Sequence, residues 1–172
     1  GMPTDCPQRD ERQGWLGDRA TGCFGEAFVF NNAMLYSKWL QDIEDSQSPE
    51  GSISVVSPRY WTIYNDDVTW PAAYFYAARM LWQQYGETAP IRKHYASMKR
   101  YLYYSLLPLM TQFAEITGNQ SDIPSFRELA AKVKEAYNAR YFDADSARYD
   151  NNTVTANILS LQLKLVPDGR EE

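Results

Sequence analysis

The sequence has 172 residues, of which 44% are hydrophobic and 23% are charged, and it carries a formal net charge of −5. This length and composition predict a single helical domain over residues 1–172 that can bury a sizeable core. The negative charge argues against nucleic acid as a partner, and no apolar run approaches the roughly 20 residues that a membrane span needs.

A polar loop, residues 5–18, opens the chain and reads Asp-Cys-Pro-Gln-Arg-Asp-Glu-Arg-Gln-Gly-Trp-Leu-Gly-Asp. Neither a helical nor a strand period runs through it, which predicts an irregular but ordered loop. Carboxylates that bond hydroxyls, an arginine that steers an acid and an indole that stacks on a ring suit carbohydrate chemistry, in which a carboxylic acid protonates the departing glycosidic oxygen. The alternative is a solvated loop of exposed ion pairs, each contributing only about 0–1 kcal/mol.

The first helix is predicted from about Phe24 to Asp45, where apolar residues recur at spacings of three, four and seven. A stretch rich in Ser, Pro and Gly at residues 46–51 ends this helix. Residues 52–64 then predict a long connecting loop with at most a brief strand, and such loops tend to carry function.

The second helix is predicted to run to about Tyr85 and to stop at Gly86. Asp66 and Asp67 precede it, where carboxylates cap N–H groups and favour the positive end of the helix dipole. Pro71 fits the first turn because its missing N–H would be unpaired there in any case.

Three further helices are predicted, beginning near Pro90, running from Pro124 to Tyr141, and running from Thr153 to Leu165. On the Pro124 helix, Glu128 and Lys132 are expected to pair on the outer side. Its inward face is predicted to comprise Phe126, Leu129, Val133, Ala136 and Tyr137.

Pro108 interrupts the helical pattern of residues 101–117, because proline removes a backbone hydrogen bond and clashes with the preceding turn. Two helices meeting near Tyr104–Leu106 therefore fit better than one continuous rod. No strong strand pattern competes with the helices, and the predicted class is all-α.

The opening loop resembles the motif of the family 78 glycoside hydrolases, the α-L-rhamnosidases, over the whole of residues 5–18. The resemblance implies part of an (α/α)6 barrel and inversion of configuration at the anomeric carbon. It places the general acid at Glu11, sugar-hydroxyl ligands at Asp5, Arg9 and Asp18, and a stacking indole at Trp15. On the residues alone, Asp18 could instead cap the first helix and Trp15 could anchor the loop.

The sequence departs from the family pattern at two places. A second family tryptophan, in a Trp-x-Asp-Ala pattern, matches Trp70, but the aspartate position is occupied by Ala72. A Gly-Asp-Trp element between two barrel helices is missing, and we expect the chain to be shortened at about Tyr104/Ser105. The alanine at position 72 leaves open which contacts this region makes to a sugar and which sugar it prefers.

The resemblance implies an inverting glycosidase that removes terminal α-L-rhamnose from polysaccharides or glycosides. It extends over nearly the whole chain but only about the first half of the barrel, and the family's catalytic base comes from further along. We therefore expect a carbohydrate substrate, an inactive isolated chain, and apolar helix faces that need either the remaining barrel helices or self-association as partners. The alternatives are a non-catalytic helical carbohydrate-binding or scaffold fragment and an (α/α)-barrel glycosidase for another sugar.

Two cysteines and one histidine limit metal and redox chemistry. Cys6 and Cys23 stand in no metal-ligand spacing, so we expect no metal site and no cofactor. Buried thiols are expected for both, while a disulfide between them stays open. His94 lies in a charged run and is expected on an exposed helix face. No secretion signal is recognised, the first two residues resemble an expression remnant, and localisation stays open.

Overall fold

The computed structural model describes residues 3, 10, 12–61, 63–64, 67–150 and 152–170. Over these residues the chain is mostly helical with one short β-hairpin, which confirms the all-α class, and no described helix is long and apolar enough to cross a membrane. The elements are α1 Leu16–Glu26, α2 Ala33–Asp45, α3 Ala73–Tyr85, α4 Ala89–Arg100, α5 Leu107–Thr117, α6 Ile123–Tyr141, β1 Phe142–Asp143, β2 Arg148–Tyr149 and α7 Val154–Gln162.

The chain divides into two compact units, Gly1–Gln120 and Ser121–Glu172. The first unit contains α1 to α5, and the second contains α6, the hairpin and α7. The single domain expected over residues 1–172 stays a prediction.

Helix α3 is the centre of the first unit, where it packs against α1, α2 and α4. Its sequence explains this position, because apolar residues occur all around the helix rather than along one stripe. Ala77 and Ala78 are buried together with the large side chains of Tyr74, Phe75 and Leu81. The small alanines let neighbouring helices approach, and the aromatic rings fill the space between them.

The single helix predicted over Phe24–Asp45 is wrong, because the helix is interrupted between α1 and α2. In this connection Phe28, Val29 and Phe30 are 79%, 72% and 64% exposed. The regular spacing of apolar residues was interpreted as one helix face, but it comes from the buried faces of two separate helices. These faces consist of Leu16, Ala20 and Cys23 on α1 and of Tyr36, Trp39, Leu40 and Ile43 on α2.

A tyrosine from α3 holds the α1–α2 connection in place. The Tyr85 hydroxyl donates to the Phe30 carbonyl oxygen at 2.9 Å, and it accepts a hydrogen bond from the Asn32 amide at 3.3 Å. This link joins residues far apart in the chain, so the local spacing of apolar residues gave no sign of it.

The boundaries of the later helices agree with the sequence. Gly86 ends α3 in the left-handed conformation with φ +70°, as the predicted stop requires. The connection before Pro108 is also confirmed, since α4 ends at Arg100 and a 3-10 turn at Tyr104–Leu106 leads into α5. Thr153 caps α7 by accepting a hydrogen bond from the Ala156 amide at 3.2 Å.

In the second unit, the inward face predicted for α6 is largely open. Phe126 is buried, but Leu129 is 42% exposed. Near the end of the helix, Tyr137 and Asn138 do contact the rest of the unit, through Ser160 on α7 and Tyr149 on β2. The Glu128–Lys132 pair is confirmed at 2.6 Å.

The thiol of Cys23 is free and buried in α1, as expected. Burial is the main cause that raises the pKa of this thiol to about 12, so it stays protonated and unreactive at neutral pH. Cys6 lies outside the described residues.

The expectation of an exposed His94 is wrong. Its side chain is 1% exposed, and Nδ1 lies 2.7 Å from Oε2 of Glu44 on α2. Burial lowers the pKa of His94 more strongly than the Glu44 carboxylate raises it. The imidazole is therefore a neutral hydrogen-bonding group that joins α4 to α2, because its helix turns this position toward the core.

Protonation of His94 should destabilise the fold. Its folded-state pKa is lowered, so the unfolded chain binds a proton first as pH falls below about 6.5. We expect the free energy of unfolding to be fully retained above that pH and to decline below it. Urea titrations between pH 8 and 5.5 of the wild type and of His94→Gln measure this, and the variant should show the shallower decline. Parallel pH profiles would contradict the assignment.

Candidate functional site

The opening loop is fastened to the long connection between α2 and α3. The Leu16 amide donates to the Val55 carbonyl oxygen at 3.0 Å, and the Ser57 amide donates to the Gly14 carbonyl oxygen at 2.8 Å. A single antiparallel bridge between Trp15 and Val56 lies between these bonds. The brief strand expected in residues 52–64 is therefore a local pairing with the opening loop.

Gly14 is required at the closest point of this pairing. A Cβ atom placed on it would lie 2.2 Å from the Ser57 carbonyl oxygen, a distance that no side chain can occupy. The position of Ser57 is also fixed by the core, because its carbonyl oxygen accepts a hydrogen bond from the buried Trp39 indole at 3.0 Å. Glycine is thus needed here for close backbone approach.

Gly17, in the first turn of α1, has a similar role toward Trp70. A Cβ atom at position 17 would lie 2.4 Å from a carbon of the Trp70 indole. Trp70 remains 38% exposed, so its ring rests on α1 with part of its surface open to solvent. Gly14 therefore permits the backbone contact with Ser57, and Gly17 permits the contact between α1 and the Trp70 indole.

Asp67 sets the turn that carries Trp70. Its Oδ1 accepts hydrogen bonds from the Thr69 amide at 2.7 Å and from the Trp70 amide at 3.2 Å. Partial burial opposes ionisation of this carboxyl, but these bonds and the Thr69 hydroxyl outweigh it and lower the pKa of Asp67. The predicted cap is thus a turn before the helix, since α3 begins only at Ala73. Asp66 lies outside the described residues.

A cavity of about 570 Å³ lies where the opening loop faces residues 58–61. Its lining combines charged, amide and aromatic side chains with backbone from both segments. The lining residues are Asp10, Arg12, Gln13, Gly14, Pro58, Arg59, Tyr60 and Trp61. Such a mixture of stacking faces and hydrogen-bonding groups is typical of a small-molecule site.

Arg12 has a backbone conformation that is unusual for a residue with a side chain. Its φ of +44° lies in the left-handed region, which costs non-glycine residues free energy and is found preferentially at functional sites. Both Arg12 and its neighbour Asp10 are exposed. The guanidinium and the carboxylate are thus available to a bound molecule.

Sequence reasoning did not identify the aromatic side of the cavity. Tyr60 is 81% and Trp61 42% exposed, and both are presented by a loop whose base is closed by the Val55 amide and the Ile63 carbonyl oxygen at 3.2 Å. The only available signal was the position of two aromatic residues after Pro58 in a long connection.

The structure brings together three of the predicted site residues and does not describe the others. Trp15 is half-buried and directly precedes α1, Asp18 is exposed in the first turn of α1, and Trp70 lies against that same turn. Asp18 is therefore inside the helix rather than at its cap. Among the described residues, the lining of the cavity does not include these three. The predictions for Glu11, Asp5 and Arg9 fall outside the described residues.

Ala72 occupies a confined position. Its side chain is 5% exposed at the residue that precedes α3. A methyl group supplies no hydrogen bond to a ligand.

Comparison with known proteins identifies a family over the whole chain. The model of the bacterial alpha-L-rhamnosidase 6 hairpin glycosidase domain matches residues 1–107 and 101–172. The two matches overlap in the connection before Pro108, where the sequence predicts a shortening, which stays a prediction. The expected part of an (α/α)6 barrel is confirmed by this match and by the solved structures.

Three individual proteins illustrate the similarity. The solved alpha-L-rhamnosidase of Dictyoglumus thermophilum is 31% identical with a TM-score of 0.85, covering 98% of this chain and 24% of that one. The Streptomyces avermitilis alpha-L-rhamnosidase is 24% identical over 98% of this chain and 20% of its own length. A Formosa agariphila alpha-L-rhamnosidase is 31% identical over 59% of this chain and 11% of its own length. The chain thus spans a quarter or less of these proteins.

The close approach at Gly14 predicts an asymmetry between two glycine substitutions. Gly14→Ala should destabilise the chain by about 1–3 kcal/mol, because the backbone of Ser57 must move away. Gly25→Ala is the matched control: it lies in α1 with nothing within 4 Å of an added Cβ, so it should stabilise the helix by about 0.5–1 kcal/mol. Denaturant titration measures both values, and equal effects would show that the pairing tolerates a side chain.

Proposed function

Since the chain belongs to the bacterial alpha-L-rhamnosidase six-hairpin glycosidase domain family, we propose that it is a segment of an inverting glycoside hydrolase. The longer protein removes terminal α-L-rhamnose from polysaccharides or glycosides, and this segment carries the general-acid half of the active site. The observation that carries the proposal is the family match over all 172 residues, together with the unbroken opening motif at residues 5–18.

Glu11 is the proposed general acid. The support from the structure is that its neighbours on both sides, Asp10 and Arg12, line the cavity. A general acid must be protonated near neutral pH, which requires burial or a nearby negative charge to raise its pKa. Asp10 and Asp5 supply negative charge close by in the sequence, while Arg9 and Arg12 act in the opposite direction.

The proposed reaction is a single displacement by water. The carboxyl of Glu11 donates its proton to the glycosidic oxygen as the bond from that oxygen to the anomeric carbon breaks. Water attacks the anomeric carbon from the opposite face and loses a proton to a second carboxylate. The products are β-L-rhamnose and the free alcohol, and we propose that the second carboxylate comes from the part of the protein outside these residues. The isolated chain is then inactive.

The remaining predicted site residues are proposed to hold the rhamnose. Asp5, Arg9 and Asp18 would bond its hydroxyls, and charge-assisted bonds of this kind fix orientation as well as affinity. Trp15 and Trp70 would offer apolar faces to its C–H groups and methyl. The support is that Trp70 rests on the first turn of α1, between the positions of the other two described residues.

Further barrel helices are the proposed partners of this segment. On α7, Val154, Ile158 and Leu161 follow helical spacing and are 74%, 57% and 46% exposed. Met34 at the start of α2 is 88% exposed. Apolar faces of this kind are usually covered in a stable protein.

A second candidate function is carbohydrate binding without hydrolysis, either in a scaffold fragment or in a barrel that acts on another sugar. The observation that favours it is Ala72, whose buried methyl group stands where the family pattern has an aspartate. Binding of L-rhamnose by calorimetry without turnover of any α-L-rhamnoside by the longer protein would support this candidate.

Replacement of the general acid should depend on the leaving group. In the longer protein, Glu11→Gln should lower kcat for a rhamnosyl disaccharide by about 10²–10⁴-fold, because its alkoxide leaves poorly without a proton. Hydrolysis of α-L-rhamnosyl fluoride should be far less affected, since fluoride needs no proton donor. A reducing-sugar assay and a fluoride electrode measure the two rates.

Glu50→Gln is the matched control, because Glu50 is exposed and outside the cavity lining. It should leave both rates unchanged. An equal loss for both substrates in Glu11→Gln would remove Glu11 from the acid role. Proton NMR of the first product should show β-L-rhamnose, and α-L-rhamnose would exclude inversion.

The exposed face of α7 predicts self-association when the segment is produced alone. Sedimentation velocity of the 172-residue chain should show concentration-dependent oligomers. Ile158→Glu should shift the chain toward monomer because it places a charge in the exposed apolar stripe. A wild-type chain that stays monomeric at all concentrations would contradict an uncovered face.

A further inference from the structure

The indole of Trp70 is partly open to solvent, although the backbone that carries it is bonded on both sides. Its ring rests on Gly17 of α1 and remains 38% exposed. The Trp70 amide donates to Oδ1 of Asp67 at 3.2 Å, and the Trp70 carbonyl oxygen accepts a hydrogen bond from the Ala73 amide at 3.0 Å. A fixed backbone beneath an exposed ring sets the direction of that ring before any ligand arrives.

Asp67 holds this turn together through one carboxylate oxygen. Oδ1 accepts hydrogen bonds from the amides of Thr69 and Trp70 and from the Thr69 hydroxyl at 2.6 Å. Partial burial opposes ionisation of this carboxyl, but the three bonds outweigh it and keep the pKa of Asp67 below its usual value. The carboxylate is therefore charged at neutral pH, and each of its bonds to the turn is charge-assisted.

Tyr101 bonds the same residue from a distant part of the chain. Its hydroxyl donates to the Asp67 carbonyl oxygen at 2.9 Å, although the two residues are 34 positions apart. The Tyr101 ring directly follows α4 and is 7% exposed, with its centre 6.4 Å from that of Phe75 on α3 and 5.1 Å from that of Tyr103. Because a buried ring keeps its hydroxyl in one place, this bond fastens the Asp67 turn to the helical core.

We propose that Tyr101 and Asp67 are positioning residues of the sugar site, and that they act by holding the Trp70 indole in the orientation that stacks on a rhamnose ring. The inference rests on the proposed hydrolase function and on the role proposed there for Trp70. Tyr101 is buried, and the carboxylate bonds of Asp67 are directed into the turn. Both residues therefore act through Trp70 and not on the sugar itself.

The experiment measures the kinetics of the longer protein with α-L-rhamnosyl fluoride, and uses L-rhamnose as a competitive inhibitor. Tyr101→Phe keeps the buried ring against Phe75 and removes only the hydroxyl. It should raise KM and the inhibition constant of L-rhamnose by about 3-fold with kcat little changed, because stacking contributes equally to the ground state and the transition state. Trp70→Ala removes the stacking ring and should raise both constants by about 10-fold.

A double variant tests whether Tyr101 acts through Trp70. If it does, adding Tyr101→Phe to Trp70→Ala should raise neither constant any further, because the ring that the hydroxyl positions is already gone. A further rise of about 3-fold in the double variant, as independent effects would give, would overturn the proposal.

Two substitutions test the part assigned to Asp67. Asp67→Ala removes the acceptor of the Thr69 and Trp70 amides and should raise KM at least as much as Tyr101→Phe. Asp67→Asn keeps an oxygen in the same place and should restore most of the wild-type KM, since asparagine forms the same turn. Equal losses in the two variants would remove Asp67 from the positioning role.

Tyr85→Phe is the matched control, because the Tyr85 hydroxyl also donates to a backbone carbonyl oxygen at 2.9 Å, that of Phe30. It should lower the melting temperature about as much as Tyr101→Phe does, and it should leave KM and the inhibition constant unchanged. A rise in KM in both variants would trace the effect to lost stability, and the positioning role would be wrong.

The outcomes also separate this inference from the proposed function. If the longer protein neither hydrolyses the fluoride nor binds L-rhamnose, the hydrolase proposal fails, and the positioning role fails with it. If the wild type hydrolyses the fluoride while Tyr101→Phe and Trp70→Ala both match its KM, the hydrolase proposal stands and this inference alone is refuted.

Discussion

The backbone pairing of residues 14–16 with residues 55–57 is the contact on which the candidate site depends. It needs Gly14, because any side chain there would overlap the Ser57 carbonyl oxygen, and it is anchored by the Trp39 indole below. Through it, residues 12–15, which lie outside any helix, are held beside the helical core of the first unit. Both the cavity and the start of α1 are placed by this contact.

The helix boundaries that the sequence predicts well are those marked by glycine or proline at the helix end. Gly86 stops α3, and Pro90 lies in the first turn of α4, because each residue acts on its own backbone within one turn. The α1–α2 interruption and the burial of His94 escaped prediction because both depend on distant partners. The Tyr85 hydroxyl bonds the connection between α1 and α2, and the Glu44 carboxylate bonds the buried His94 imidazole.

The residues of the candidate site also fall into those that local sequence predicts and those that depend on distant parts of the chain. The opening motif marked Trp15 and Asp18, and the spacing of a second pattern marked Trp70, since each is part of a recognisable string of residues. Tyr60 and Trp61 belong to no such string, and only tertiary pairing brings their loop opposite Arg12. A contiguous motif can be recognised in the sequence. The residues that face it across the cavity cannot, because only the tertiary structure brings them there.

The close contact between the Trp70 indole and Gly17 has an evolutionary consequence. Because a Cβ added at position 17 would lie 2.4 Å from the Trp70 indole, there is no room for a side chain at 17 while the ring keeps its place. A lineage that acquires a larger residue at 17 must first give up the broad ring at 70, and one that loses the ring releases 17 from its constraint. Among related chains, tryptophan at 70 should therefore occur together with glycine at 17, whereas chains without that ring should also accept larger residues at 17.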